Sequence, residues 1–287
     1  MSSNENYKKK IKLNFIFSNG FRCNSTDFLI KYQFRKMSSP FDYLYIDYET
    51  SLKLINNKFE DYLNDIIIYD RNNKDDKDKK ILSLINEKKT NNIDPLLIDM
   101  IEKHKSIRYM HDHYGGFLLN QNYLNYDNDV NELSDNLYNW KHICIFLHHD
   151  VKDKNECDKF KMRCNRFLNI YDKYQNNIAL FSMTRILSNN NNNIHDEMNK
   201  IFDLKKKYNI NCYTIMIMCC DQLDDTEYLN EENKCLFIIK RVPPYCCFEP
   251  YGTDCNINWG NSLNFTDQYN TILKYFDVSE LKEKTDI

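Results

Sequence analysis

Between residues 142 and 240 the chain alternates short apolar runs with long amphipathic ones, and this alternation narrows what it can fold into. The runs 142–147 (HICIFL), 178–183 (IALFSM), 211–219 (NCYTIMIMC) and 235–240 (CLFIIK) read as strands. The stretches 154–174 and 195–207 read as helices; in the first, Phe160, Cys164, Phe167, Leu168 and Tyr171 share one face. Strands alternating with helices bury their apolar faces by stacking in layers, so the expected class is α+β with mixed α/β layers and no internal repeat.

The N-terminal part obeys the same grammar. Residues 11–17 read as a strand, Ser18-Asn19-Gly20 as a turn, and 23–36 as a helix opened by the capping residues Asn24, Ser25, Thr26 and Asp27. Ser38-Ser39-Pro40 breaks it; a helix over 49–63 and a short strand over 65–69 follow. The charged run 70–80 reads as an exposed loop, 81–87 and 96–105 as short helices, 189–193 as a loop of five Asn, and 262–277 as a final helix. The expected organisation is a polar tail over 1–10, one domain over 11–278 with a surface insertion at 106–140, and a C-terminal tail over 279–287.

A net charge of −3 gives no broad attraction to nucleic acid or to an anionic membrane, so neither is expected as a partner. The first ten residues lack the apolar core of a secretory signal, and the apolar run 213–220 falls short of the ~20 residues a membrane span needs. A cytoplasmic, intracellular location with reduced thiols is the expectation. Eleven cysteines include the adjacent pairs Cys219-Cys220 and Cys246-Cys247 but no CxxC. Neighbouring side chains of a strand point to opposite faces, so these pairs read as buried thiols, and neither metal nor cofactor is expected. With only five Gly, most phosphate-cradling loops are excluded, and no P-loop or dinucleotide fingerprint occurs.

The strongest constellation for chemistry is Ser18-Asn19-Gly20-Phe21-Arg22-Cys23, between a strand and a helix start. The helix dipole and free N–H groups there favour a thiolate and can stabilise an oxyanion, while Gly20 permits close backbone approach. The bland alternative is a buried Cys at a joint. A nucleophilic Cys needs an imidazole. His148 and His149 follow an apolar strand and precede Asp150, and alternation lets at most one serve as base. His111-Asp112-His113 is a rival, because i and i+2 on a strand can ligate a metal together. Asp42, between Phe41 and Tyr43, reads as a partnered carboxylate, a helix cap or a third catalytic member.

Together these blocks resemble a family of papain-like cysteine peptidases. The resemblance rests on Ser18-x-Gly20-x-x-Cys23, Tyr32-Gln33-Phe34-Arg35, Pro40-Phe41-Asp42-Tyr43, Phe146-Leu147-His148-His149-Asp150, Arg163 with Arg166, and Phe181 to Arg185. Trp259-Gly260-Asn261 resembles its close. Asn19 stands where the family carries Leu, and Tyr43 where it carries Trp. The resemblance implies a papain-like fold, with a helix carrying Cys23 against a central sheet. It implies a Cys–His site in which His149 fits as base, with His148 as alternative. Asp42, Asp150 or Asn261 would orient the imidazole, and Asn19 and Gly20 would support an oxyanion. The implied activity is hydrolysis of a peptide or another amide or ester, or related acyl transfer. An inactive scaffold on the same fold and a metal enzyme built on His111 and His113 are the alternatives, and the oligomeric state stays open.

Overall fold

The computed structural model describes residues 9–20, 23–46, 48–60, 62–64, 66–69, 117–120, 144–146, 149, 151, 153–185, 191–220, 223–241 and 265–283. The strands are β1 (Ile11–Lys12), β2 (Phe15–Ser18), β3 (Leu44–Ile46), β4 (Ile66–Tyr69), β5 (Phe117–Asn120), β6 (Cys144–Phe146), β7 (Ile178–Arg185), β8 (Tyr213–Cys220), β9 (Thr226–Asn230), β10 (Cys235–Arg241) and β11 (Phe276–Asp277). The helices are α1 (Cys23–Lys31), α2 (Tyr48–Asn56), α3 (Lys154–Tyr174), α4 (Asn191–Lys207) and α5 (Thr266–Tyr275). Among the described residues, no helix is long and apolar enough to cross a membrane.

The main sheet has the order β2-β7-β8-β10-β9, parallel except for β9. A second, antiparallel sheet has the order β3-β6-β5-β4, and β1 pairs with β11 alone. The expected mixture of layers is therefore what forms, with a Cys-bearing helix set against a central sheet. In β2, Phe15 and Phe17 enter one core with Phe160, Cys164, Phe167 and Ile170 of α3, while Ile16 enters another with Phe28 and Leu29 of α1. In β8, Cys219 joins that second core and Cys220 a third, under Ile194, Met198 and Ile201 of α4. The central strands are buried on both faces, as parallel strands with helices on both sides must be.

Several boundaries differ from the sequence reading, each for a local reason. The single strand expected over 11–17 is two, because the chain changes partner: Leu13 N–H donates to Asp277 O, and Asn14 N–H to Asn177 O. The helix expected over 23–36 ends at Lys31. Gln33 takes φ +60°, and the N–H groups of Phe34 and Arg35 both return to Leu29 O. That left-handed stop sends Phe34 into the core and Arg35 toward Asp42. The helix expected over 49–63 ends at Asn56, with Lys58 and Phe59 at positive φ. α4 starts inside the Asn run at Asn191. The last helix covers only Thr266–Tyr275 of 262–277, and its end becomes β11. β3 and β9 were not foreseen, and β5 lies within the 106–140 span, between β6 and β4. Beyond β11, Lys282 N–H donates to Asn14 O. The helices expected at 81–87 and 96–105 lie outside the described residues.

Candidate active site

α1 opens at Cys23, three residues after Gly20, where β2 leaves the sheet. Gly20 has φ +75°, and a Cβ there would stand 1.9 Å from Ile46 Cγ2 of β3. Only glycine fits both the left-handed backbone and the close approach. The joint is pinned from several sides. Ser25 Oγ donates to Gly20 O (2.7 Å) and accepts from Met183 N–H of β7 (2.9 Å). Asn19 N–H donates to Phe181 O (2.8 Å), and its Nδ2 to Ser51 Oγ (2.8 Å). Ser51 Oγ donates onward to Tyr48 O, which fixes the orientation of the Asn19 amide. These donors of Asn19 are thus committed to the scaffold, which leaves backbone N–H groups at the helix start as the natural oxyanion donors.

Asp42 lies just before β3, 1% exposed. Its Oδ2 accepts from Arg35 Nη2 (2.7 Å), Arg35 Nε (3.0 Å) and Ser39 N–H (3.0 Å). Its Oδ1 accepts from Thr26 Oγ1 (3.4 Å), which also meets Ser18 Oγ at 3.1 Å. Asp42 thereby ties the first turn of α1 and the end of β2 to the start of β3. Burial pushes its carboxyl above the ordinary carboxylate range, against the pull of Arg35, Ser39 and Arg163.

His149 follows β6. Phe146 pairs with Leu44 and Cys144 with Ile46, so β6 runs toward the Asp42 end of β3. The His149 ring packs edge-on against Phe160 (centroids 4.8 Å), and its Nδ1 is 3.2 Å from Glu156 Oε2. Glu156 was not among the sequence candidates. It stands in the first turn of α3, where the Asp153 side chain caps the N–H groups of Asn155 and Glu156. The pattern Asp153-x-x-Glu156 marks a helix start of the capping-box kind, and that was the available clue. Here the Glu156 side chain serves His149 and Lys159 (2.6 Å). Those bonds, Lys159 first, hold its carboxyl below the ordinary glutamate value against partial burial.

The structure thus gathers Ser18, Thr26, Arg35 and Asp42 in one cluster and His149, Glu156 and Phe160 in another. Arg163 joins them: its guanidinium lies over the Phe160 ring at 4.7 Å, and its charge acts on Asp42. His148, Asp150, Asn261, His111 and His113 lie outside the described residues. Among those described, no group of three His, Cys, Asp or Glu is placed to hold a metal.

The profile of a family described as putative papain-like cysteine peptidase (DUF1796) matches residues 14–222. The chain belongs to this family. No curated protein and no solved structure matches it. The span matched by this family contains Cys23, Asp42, His149 and Glu156 and stops short of Asn261. Among the described residues, burial acts on three thiols of the papain-like chain. It pushes Cys164 and Cys212 up to about 12 and raises Cys235 as well.

Proposed function

We propose that the protein is a cysteine hydrolase acting on a peptide or another acyl amide or ester, with Cys23 as nucleophile and His149 as base. The observation that carries this reading is the joint itself: α1 begins at Cys23 immediately beyond a glycine turn at the end of a parallel strand. The helix dipole and its free N–H groups favour the thiolate at that position. The thiolate attacks the acyl carbon, and the carbonyl oxygen becomes an oxyanion facing backbone N–H groups of the first turn. Glu156 accepts from Nδ1–H of His149, which makes Nε2 the nitrogen that moves the proton. His149 gives that proton to the leaving nitrogen or oxygen as the tetrahedral species collapses to a thioester. It then takes one from water, whose oxygen attacks the thioester and frees Cys23. Asp42, saturated by Arg35, Ser39 and Thr26, serves in this reading as a strut and not as the orienting acid.

Labelling with a thiol-directed electrophile near neutral pH tests the assignment. Wild type should label at Cys23 ahead of the other cysteines, and Cys23→Ala should abolish that fraction. His149→Ala should slow it by roughly tenfold or more, because the thiolate loses its partner. Equal labelling of Cys23 and the half-exposed Cys157 would end the catalytic reading.

A further inference from the structure

We propose that Arg163 and Arg166 of α3, with Arg35, form a binding site for a dianionic phosphate group, independent of any reaction at Cys23. Arg163 and Arg166 are one turn apart and therefore share a helix face. Arg166 Nη2 donates to Ser38 O at 2.8 Å, and Arg35 Nη2 donates to Ser38 Oγ at 3.0 Å, so both guanidinium groups meet at Ser38. The described partner of Arg163 is the Phe160 ring face.

Among the described residues, Asp42 makes its ion pair with Arg35, and neither Arg163 nor Arg166 has a carboxylate within ion-pair distance, so their two positive charges are left in surplus. The hydrogen bonds are unbalanced too. Arg163 Nη1 and Arg166 Nε are buried and, among the described residues, have no hydrogen-bond partner. A buried charged donor without an acceptor is costly, and native structures rarely keep one without a ligand, ion or water. The strain is visible in the electrostatics. Burial first, then Arg163, pushes the Arg166 guanidinium below its ordinary value; Arg35 adds to this and Asp42 opposes it. Both side chains remain partly exposed, so the cluster opens to solvent.

A phosphate group answers both deficits. Its two negative charges match the surplus, and its oxygens suit the planar fork of a guanidinium. A carboxylate supplies one charge and leaves the cluster positive; water supplies none. The group can arrive as inorganic phosphate or as a monoester on a larger ligand.

Thermal unfolding of the full chain, at matched ionic strength, decides the matter. The probes are inorganic phosphate, phenyl phosphate, acetate and chloride. Either phosphate probe should raise the Tm of wild type by roughly 5 °C or more at a hundredfold excess over its Kd, with acetate and chloride well below. Arg163→Gln should abolish the rise, and Arg163→Lys should retain part of it. A rise with inorganic phosphate but not with phenyl phosphate supports a site for the free ion; a rise with both supports a phosphate ester. Phosphate that does no more than chloride, or that stabilises Arg163→Gln as much as wild type, overturns the proposal. Should Arg163→Gln fail to fold, broadening of the phosphorus resonance of phosphate by the wild-type chain, reversed by sulfate, supports the site, and its absence overturns it.

Discussion

Asp42 and Glu156 are two carboxylates at the two ends of one cluster, joined through Arg163 and the Phe160 ring, and their surroundings treat them in opposite ways. Asp42 is 1% exposed, and both its oxygens are occupied by donors from α1, from the turn after it and from Ser39. Its burial raises its pKa. Glu156 is 27% exposed at the mouth of α3, meets one imidazole and one ammonium, and is held low. A saturated, dry carboxylate fixes the backbone around it, and its oxygens are closed to a reacting imidazole. A partly solvated carboxylate on an imidazole can steer that imidazole through a proton transfer. Charge alone does not tell the two roles apart; the number of donors and access to water do.

The largest expected effect tests the saturated side. Asp42→Asn leaves Arg35 and the Ser39 N–H facing an amide, and breaking a buried pair of this kind costs about 3–5 kcal/mol. Glu156→Gln, at an exposed pair, should cost less than about 1 kcal/mol. Urea unfolding of both variants measures the contrast. A loss below about 1 kcal/mol for Asp42→Asn would mean that the carboxyl is carried as the neutral acid, and the strut argument would fall.

Next comes the joint that Asp42 supports. Gly20→Ala forces a side chain into a left-handed residue, which costs roughly 1–2 kcal/mol, and drives its Cβ into Ile46 of β3. With overpacking added, the expected loss is about 2–4 kcal/mol. Pairing it with Ile46→Ala should return the steric part and leave the backbone part, so the double-mutant cycle should show favourable coupling. Additive losses would mean that β3 does not press on the turn.

Much of this contrast was legible in the sequence, and what was not has identifiable causes. α3 matches its expected limits because Phe160, Cys164, Phe167 and Ile170 repeat with helical spacing and Asp153 caps the start. The glycine turn before Cys23 was equally plain, because few glycines remain to explain. β3 and β9 were missed, since strands this short and only partly apolar carry no readable period. The early end of α1 hides in Gln33, a residue with no special preference for positive φ that tertiary packing holds there. A partnered carboxylate was one of three readings open for Asp42, beside a helix cap and a third catalytic member, and Arg35 was not named as its partner, because the ion pair depends on that unforeseen stop. Glu156 escaped because a charged residue in the first turn of a helix ordinarily serves the helix; only the path of β6 brings His149 to it.

The smallest expected effect is a pH dependence whose sign differs at the two ends. Stability rises with pH wherever the unfolded chain binds more protons than the folded one. The Glu156 carboxyl is held below its ordinary value of 4.5, so the unfolded chain takes up its proton first as pH falls. Its contribution is complete above that value and is lost as pH drops through the depressed one. Asp42 is raised above 3.8, so in the window above that value the folded chain holds the extra proton, and its contribution shrinks as pH rises. Urea midpoints taken from below the ordinary carboxylate values up to neutral pH should therefore separate the variants. Glu156→Gln should flatten the low-pH loss seen in wild type, whereas Asp42→Asn should remove a decline on the neutral side of its window. Slopes of the same sign for both variants would show that the two carboxylates share one environment, and the division between strut and proton partner would have to be abandoned.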